Sequence, residues 1–215
     1  MNYDRKRPSP RYQELLAQYV AMHAFGEPHL KLPADKTFGG LSLLPHAAFI
    51  KSLIERVAGR SLLDFGCGKG DQYKQTPFIL DGEHFADLRS YFGIHKLCLY
   101  DPAYPGHWTL PPGEFDVVVC TDVLEHCPEE DLDWILAELV GRAKKAAYAA
   151  VASYPAIKRL PNGENAHCTL QPAAWWNERF NAAATASGRA ILWELRISVS
   201  PQQSGTDFTL FRNGE

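Results

Sequence analysis

A run of nine residues combines apolar side chains, one carboxylate and three alternating glycines: Leu-Leu-Asp-Phe-Gly-Cys-Gly-Lys-Gly at 62–70. The apolar part is typical of a buried parallel strand, and glycines let the backbone turn sharply and approach a ligand closely. The spacing Gly66-x-Gly68-x-Gly70 differs from the pattern of dinucleotide-binding loops, whose third glycine comes one residue later. Asp64 would repel a pyrophosphate and attract a cation. The run therefore predicts a loop that holds a small, positively charged ligand.

Two further carboxylates follow apolar runs that are typical of strands. Asp101 follows residues 96–100, and Asp122 follows residues 115–121. Open α/β sheets bind ligands beyond the carboxyl ends of their strands, so both acids are expected beside the glycine loop. A carboxylate can accept hydrogen bonds from both hydroxyls of a ribose, each worth about 1.5–3 kcal/mol. Asp101-Pro102 alone also fits a simple turn, but its place downstream of the glycine loop favours ribose binding.

Candidate catalytic and substrate-binding groups lie in two places further along the chain. His126 is a candidate base because the ordinary pKa of histidine is near neutrality; packing against the next helix or ordering Glu125 is the alternative. The polar segment 154–171 follows a predicted strand, and it is too long for a plain connector. A solvated loop is the alternative interpretation. Its candidates for binding, neutralising or deprotonating a substrate are Lys158, Arg159, Asn165 and His167.

Trp175 and Trp176 begin the helix that follows this segment. One of them is expected in the core, while the other can stack on a sugar or ring of the substrate. We take Trp175 as the substrate-binding candidate; core packing of both is the alternative.

Helical and strand periodicities alternate along most of the chain. This alternation, ending in a hairpin, predicts a doubly wound, mostly parallel α/β sheet with an antiparallel edge hairpin. Residues 71–95 are an insertion or a long helix with an extra loop, and 102–114 carry four prolines that leave room for a vestigial strand at most. Helices are predicted at about 11–24, 45–58, 128–140 and 172–186, and strands at 61–65, 96–100, 115–121, 146–153, 189–198 and 208–212.

Composition narrows the class of protein. The chain has 215 residues and a net charge of −3, which argues against a nucleic-acid partner because such partners demand a basic face. Five cysteines without paired spacing predict neither a disulfide scaffold nor a metal site, and indicate a reducing cytoplasm. No apolar run approaches the roughly 20 residues that span a bilayer. We predict an N-terminal helical extension at 1–44 that covers the site as a lid, followed by one domain at 45–215.

The motifs together resemble the class I S-adenosylmethionine-dependent methyltransferases. Residues 63–70 are similar to the first motif of that family, Asp101 to the acid that ends its second strand, and 115–126 to the motif on its fourth strand. The resemblance covers about 45–212 and implies a seven-stranded sheet with the last strand inserted antiparallel. It also implies that S-adenosylmethionine is the cofactor. The cofactor-binding residues that follow are Asp64, Phe65, Gly66, Cys67, Gly68, Gly70, Asp101 and Asp122.

Asp101 would then hold the ribose, with Asp64, Gly66 and Gly68 at the methionine portion. Asp122 would lie near the methionine end or the reacting centre. Two features depart from the family. Asp64 and Asp101 are 37 residues apart, and the third strand, which normally ends at the adenine, is nearly absent. Trp108 and Leu110 are candidates for the missing adenine contact.

The expected reaction is in-line transfer of a methyl group to an oxygen or nitrogen of a small polar substrate, sugar-like or anionic. Positioning supplies about 7–11 kcal/mol in such reactions, and no metal is required. One alternative is a methyltransferase that acts on RNA or protein. Another is a non-catalytic subunit that binds the cofactor. The glycine spacing sets aside a nicotinamide-dependent oxidoreductase, and the oligomeric state is not predicted.

Overall fold

Six strands form the main sheet in the computed structural model, which describes residues 3–80, 82–200 and 208–213. A separate two-stranded hairpin accompanies it. The strands are β1 Ser61–Phe65, β2 Phe78–Leu80, β3 Glu83–Phe85, β4 Lys96–Tyr100, β5 Phe115–Thr121, β6 Ala143–Ala152, β7 Leu192–Ser198 and β8 Thr209–Arg212. The helices are α1 Pro10–Phe25, α2 Ala47–Arg56, α3 Leu88–Phe92, α4 Leu132–Gly141 and α5 Ala173–Ala186.

The sheet order is β4-β1-β5-β6-β7-β8, and all neighbours are parallel except the last pair. The doubly wound fold with an antiparallel edge pair is therefore confirmed. The predicted count of seven strands is wrong for the described residues, because the prolines of 102–114 cannot donate ladder hydrogen bonds and form turns instead. The last strand is not inserted between others. β6 and β7 pair directly, from Ala146 opposite Leu192 to Ala152 opposite Ser198, so β8 lies at the edge.

Helices cover both faces of the sheet, which explains the nearly continuous apolar character of β5. Val117 and Val119 face the layer that contains α2 and α3, while Val118 and Cys120 face the layer that contains α4 and α5. The four side chains are completely buried. A strand covered on both faces needs apolar residues at every position rather than at alternate ones.

Helix α1 lies across the carboxyl ends of the strands. Its first turn is capped by the Ser9 hydroxyl, which accepts a hydrogen bond from the Tyr12 N–H at 2.9 Å. The Ser9 N–H donates to Asp131 Oδ1 at 3.1 Å and ties the start of α1 to the start of α4. Further along, Leu15 and Met22 of α1 form a small core cluster with residues of segment 154–171. The helix is therefore attached to two of the elements that surround the predicted site.

The insertion at 71–95 contains the antiparallel hairpin of β2 and β3 and the short helix α3. Phe78 and Tyr91 pack in this region and extend the core on the α2 face. The turn predicted between the last two strands falls on 201–207, outside the described residues.

The helical stretch Ala34–Arg56 has the length and composition of a membrane span. It is interrupted, however, by residues 37–40 and by Pro45, and the apolar side chains of α2 are buried in the core. It is therefore a weak indication of a membrane segment.

Candidate active site

The glycine loop is held between two other segments of the chain. Gly66 and Gly68 have φ angles of 89° and 59°, in the region that favours glycine. A Cβ on Gly66 would lie 2.2 Å from Val123 Cγ2, and a Cβ on Gly68 would lie 2.3 Å from the Phe38 carbonyl oxygen. Both positions therefore need glycine for conformation and for space. The loop is fixed in place before any ligand arrives.

Asp101 follows β4 and supports this loop from the side. Its Oδ2 accepts a hydrogen bond from the Gly68 N–H at 2.8 Å, and its Oδ1 accepts one from the Ala103 N–H at 2.9 Å. Burial raises the pKa of this carboxyl, and these two hydrogen bonds oppose the shift. Each carboxylate oxygen has a further lone pair, so the group can accept hydrogen bonds from a ligand while it holds the loop.

A first cavity of about 140 Å³ lies between the glycine loop and α1. Four of the predicted cofactor-binding residues line it: Gly66, Gly68, Asp101 and Asp122. The opposite wall comes from α1 and the segment after it, with Tyr12, Leu15, Leu16, Tyr19, His23 and Phe38. The cavity thus has polar groups on the sheet side and aromatic and aliphatic groups on the helix side.

A second, larger cavity of about 840 Å³ lies beside the first. Its walls include Asp122, His126, Lys158 and His167. The two cavities adjoin, because five residues line both: Phe38, Gly40, Ser42, Asp122 and His126. The residues that sequence reasoning assigned to the cofactor and to the acceptor therefore meet at Asp122 and His126.

Asp122 stands at the junction with an unusual backbone conformation. Its φ angle is 53°, in the left-handed region that few residues other than glycine adopt. Desolvation of the carboxyl by the surrounding walls raises its pKa to about 6, although part of the residue is exposed to solvent. The Lys158 ammonium opposes this shift. Strained backbone of this kind occurs often at functional sites.

The two predicted catalytic histidines are neighbours. Their ring centroids are 4.8 Å apart, with the rings nearly perpendicular. His126 Nδ1 lies 2.9 Å from both the Ala166 carbonyl oxygen and the Tyr19 hydroxyl, and His167 Nδ1 lies 2.5 Å from the Tyr154 carbonyl oxygen. Burial lowers the pKa of His126 to about 3 and also lowers that of His167. Both rings are therefore neutral near pH 7.

Glu125 directly precedes His126 and is completely buried. Its Oε1 accepts a hydrogen bond from the Ala152 N–H at 2.8 Å, and its backbone carbonyl accepts from the N–H groups of Cys168 and Thr169. Its Oε2 is buried and has no hydrogen-bond partner. Burial raises the pKa of this carboxyl well above its usual range. Sequence reasoning did not select Glu125 as a functional residue, although its place before His126 was a signal.

The other four predicted cofactor residues belong to β1 or to the loop itself and do not line the first cavity. Asp64 is buried, and its Oδ2 accepts hydrogen bonds from Gln72 Nε2 and Tyr73 Oη, each at 3.0 Å. Burial raises the pKa of Asp64 to about 7. Phe65 and Cys67 are also buried, and Gly70 ends the loop next to Leu99. These residues shape the loop, while any direct cofactor contact by them stays a prediction.

Three of the predicted substrate-binding residues lie away from the cavity walls. Asn165 Oδ1 accepts from the N–H groups of Ala156 and His167, so it orders segment 154–171. Arg159 is exposed and donates to the Gly163 carbonyl. Trp175 packs against the core and lies under the Arg179 guanidinium at 4.4 Å. Neither Arg159 nor Trp175 lines either cavity, so an acceptor could contact them only with a part that lies outside both.

The two candidates for an adenine contact are not at the cavities either. Trp108 is 63% exposed, and Leu110 packs against the core between the sheet and α4. Pro102 and Ala103, directly after Asp101, line the first cavity instead.

The sheet, the glycine loop and the carboxylates at the strand ends define a Rossmann-like ligand-binding site. The chain matches a family model described as a methyltransferase domain over residues 43–183, which is more than half of its length. The protein therefore belongs to the class I S-adenosylmethionine-dependent methyltransferase family and is a methyltransferase. No curated protein and no solved structure matches the chain.

Proposed function

We propose that the protein transfers the methyl group of S-adenosylmethionine to an oxygen or nitrogen nucleophile of a small polar acceptor. The observation that carries the proposal is that the two cavities adjoin at Asp122 and His126. The donor would bind in the first cavity and the acceptor in the second. The methyl group would pass between them at this junction.

The residues of the first cavity fit this cofactor in charge and shape. S-adenosylmethionine carries a sulfonium and an ammonium group and no phosphate, which suits a site with Asp101 and Asp122 on its walls. The free lone pairs of Asp101 suit a ribose diol. Tyr19 and Phe38 offer aromatic faces that attract a cation.

Helix α1 serves as a lid in this proposal. The first cavity, at about 140 Å³, is smaller than the roughly 300–1,000 Å³ of most ligand pockets. A whole nucleoside therefore requires α1 to move outward. Contacts that can break reversibly hold the helix and the segment before it. The helix has the Arg11–Glu164 ion pair and the Tyr19 hydroxyl, which donates to the Ala166 carbonyl, and the preceding segment has the Arg5–Glu138 ion pair.

The cofactor, when bound, supplies an electrophilic methyl group. The acceptor lone pair forms the new bond to the methyl carbon, the carbon–sulfur bond breaks, and its electron pair stays on sulfur. The acceptor proton passes to a neutral imidazole or to water in the second cavity. The protein contributes mainly alignment, worth about 7–11 kcal/mol.

The second cavity supports a polar acceptor. Lys158 brings an ammonium group to its wall and lies 5.6 Å from the centre of the Phe38 ring. An acceptor with a carboxylate, a phosphate or many hydroxyls suits this wall. The net charge of −3 favours a small molecule over RNA.

A matched pair of glycine variants tests the function. Gly68→Ala places a Cβ 2.3 Å from a backbone oxygen, whereas Gly188→Ala has a similar φ angle of 64° and no atom within 4 Å. We expect Gly68→Ala to lose S-adenosylmethionine binding in calorimetry and Gly188→Ala to keep it. Absence of binding to the wild-type protein would overturn the cofactor assignment.

Transfer itself is followed with methyl-labelled cofactor and cell extract separated into low-mass, RNA and protein fractions. Label in the low-mass fraction supports the proposed acceptor class. Label in RNA, with binding that weakens steeply with salt, or label in protein would contradict it. Cofactor binding without transfer to any fraction would indicate a non-catalytic subunit.

A further inference from the structure

We propose that Glu125, His126 and His167 bind one divalent transition-metal ion at the wall of the second cavity. Each residue offers one ligand atom, and these three atoms lie within 4.8 Å of one another. Tetrahedral ligands about 2.1 Å from one ion are about 3.4 Å apart. The most widely separated ligand atoms therefore need to come closer by up to about 1.4 Å.

The hydrogen bonds of the two histidines leave one nitrogen of each ring free to bind a metal ion. Each Nδ1 lies against a backbone carbonyl, of Ala166 for His126 and of Tyr154 for His167. A carbonyl oxygen accepts only, so each Nδ1 carries the proton and each Nε2 keeps its lone pair. Tyr19 agrees with this tautomer, because its hydroxyl donates to Ala166 O at 2.6 Å and can accept from His126 Nδ1. Metal-binding histidines are oriented in this way by partners of the second nitrogen.

Glu125 provides an independent observation. Its side chain is 0% exposed, Oε1 is satisfied by the Ala152 N–H, and Oε2 is buried without a partner. A buried carboxylate oxygen without a partner is unfavourable, because it has lost its hydration and gained nothing in return. A cation between this oxygen and the two imidazoles would satisfy it. Asp122, close by on the cavity wall, adds negative charge on the same side.

The donor set indicates the class of metal. Two imidazoles and one carboxylate suit zinc, manganese or iron, whereas magnesium and calcium prefer oxygen ligands alone. Three protein ligands leave at least one position for water or substrate. His126 and His167 line the second cavity, so that position faces the acceptor.

A consequence, which rests on the proposed function, is that the acceptor atom is a hydroxyl oxygen. An oxygen bound to a divalent ion loses its proton more readily. The proton would pass to water, the oxygen would form the bond to the methyl carbon, and the carbon–sulfur electrons would stay on sulfur.

The test is metal binding by the full chain after treatment with a chelator and dialysis. We expect calorimetry with Zn²⁺ or Mn²⁺ to give one ion per chain, with Mg²⁺ binding at least tenfold weaker. Glu125→Gln, which keeps the acceptor for Ala152, and His167→Gln should each weaken binding at least tenfold. His84→Gln, at an exposed histidine of the β2–β3 hairpin, is the control and should bind like the wild type.

A thermal-shift experiment gives a second readout. The melting temperature should rise with added metal in the wild type and not in His167→Gln. No binding by the wild type, or equal binding by His167→Gln and His84→Gln, would overturn the site. Cofactor binding is measured with chelator present, so a failure of the proposed function is seen separately. Full transfer activity in chelator would remove the role of the metal in catalysis.

Discussion

Replacement of Asp101 by asparagine tests the ribose contact with little change of shape. In the wild type, the two carboxylate oxygens of Asp101 accept hydrogen bonds from the Gly68 and Ala103 N–H groups. The asparagine side chain keeps one oxygen but loses the charge and one acceptor. Charge-assisted hydrogen bonds contribute about 1.5–3 kcal/mol. Loss of one such interaction with the cofactor predicts affinity lower by about 10- to 150-fold. Titration calorimetry with S-adenosylmethionine and S-adenosylhomocysteine measures it.

Because Asp101 also supports the glycine loop, a fall in affinity needs a control for loss of structure. Asp116 is a matched residue, because its Oδ2 accepts from the N–H groups of Arg60 and Ser61. It lies at the amino ends of the strands, on the side of the sheet away from the site. Asp116→Asn should lower the melting temperature by a comparable amount and leave cofactor affinity unchanged. If Asp101→Asn binds within threefold of the wild type, the ribose assignment is refuted.

Two further predictions concern charge. Lys158→Gln should raise KM for an anionic acceptor about 2- to 5-fold, with kcat nearly unchanged, because a partly solvated ion pair is worth about 0–1 kcal/mol. Steady-state kinetics at low and high salt measures this. The pKa of Asp64 is raised to about 7 by burial, so its contribution to folding is complete below about pH 4 and is lost as pH rises through 7. Asp64→Asn should therefore flatten the dependence of stability on pH between 4 and 8 in denaturant titrations, by removing a slope of about 1.4 kcal/mol for each pH unit.

Each of these two predictions has an outcome that would contradict it. Lys145→Gln is the control for Lys158→Gln, because Lys145 pairs with Asp116 at the amino ends of the strands, away from the site. Equal KM values for the two variants would exclude a role for Lys158 in binding the acceptor. For Asp64, a wild type that becomes more stable than Asp64→Asn as pH rises from 4 to 8 would show that the carboxyl is stabilised when ionised.

The arrangement at the carboxyl ends of the strands was predictable, because the glycine loop and the acids there each have a local sequence signal. Alternating glycines after a buried strand and acids after two others mark positions that parallel pairing brings together. β5 was predicted with its observed bounds, Phe115–Thr121, because every residue in it is apolar, β-branched or small apart from Asp116. The convergence of Gly68, Asp101 and Asp122 on one cavity follows from topology alone.

The extension at 1–44 was expected to cover the site, but the side chains that α1 turns towards the cavity and the partners of the buried acids were not predictable. The periodicity of α1 shows an apolar face with Leu15 and Tyr19, but no periodicity tells which surface that face covers. Asp64 looked like a cofactor contact because its position precedes the loop. Gln72 and Tyr73, which bind its oxygen, lie in the insertion where the family pattern ends. Such contacts depend on tertiary structure and not on neighbours in sequence.

The arrangement around Glu125 explains how one site can keep its donor while the acceptor changes. The Glu125 carbonyl holds the N–H groups of Cys168 and Thr169, and its side chain holds Ala152, so segment 154–171 is attached to the sheet at its two ends. Between these attachments, Lys158 and His167 reach the second cavity. Substitutions inside the segment can therefore alter the acceptor wall without moving the glycine loop, because the loop has its own supports in Asp101 and Phe38. Functional variation concentrates in loops held by a rigid scaffold, and in this protein the specificity for the acceptor should reside in 154–171.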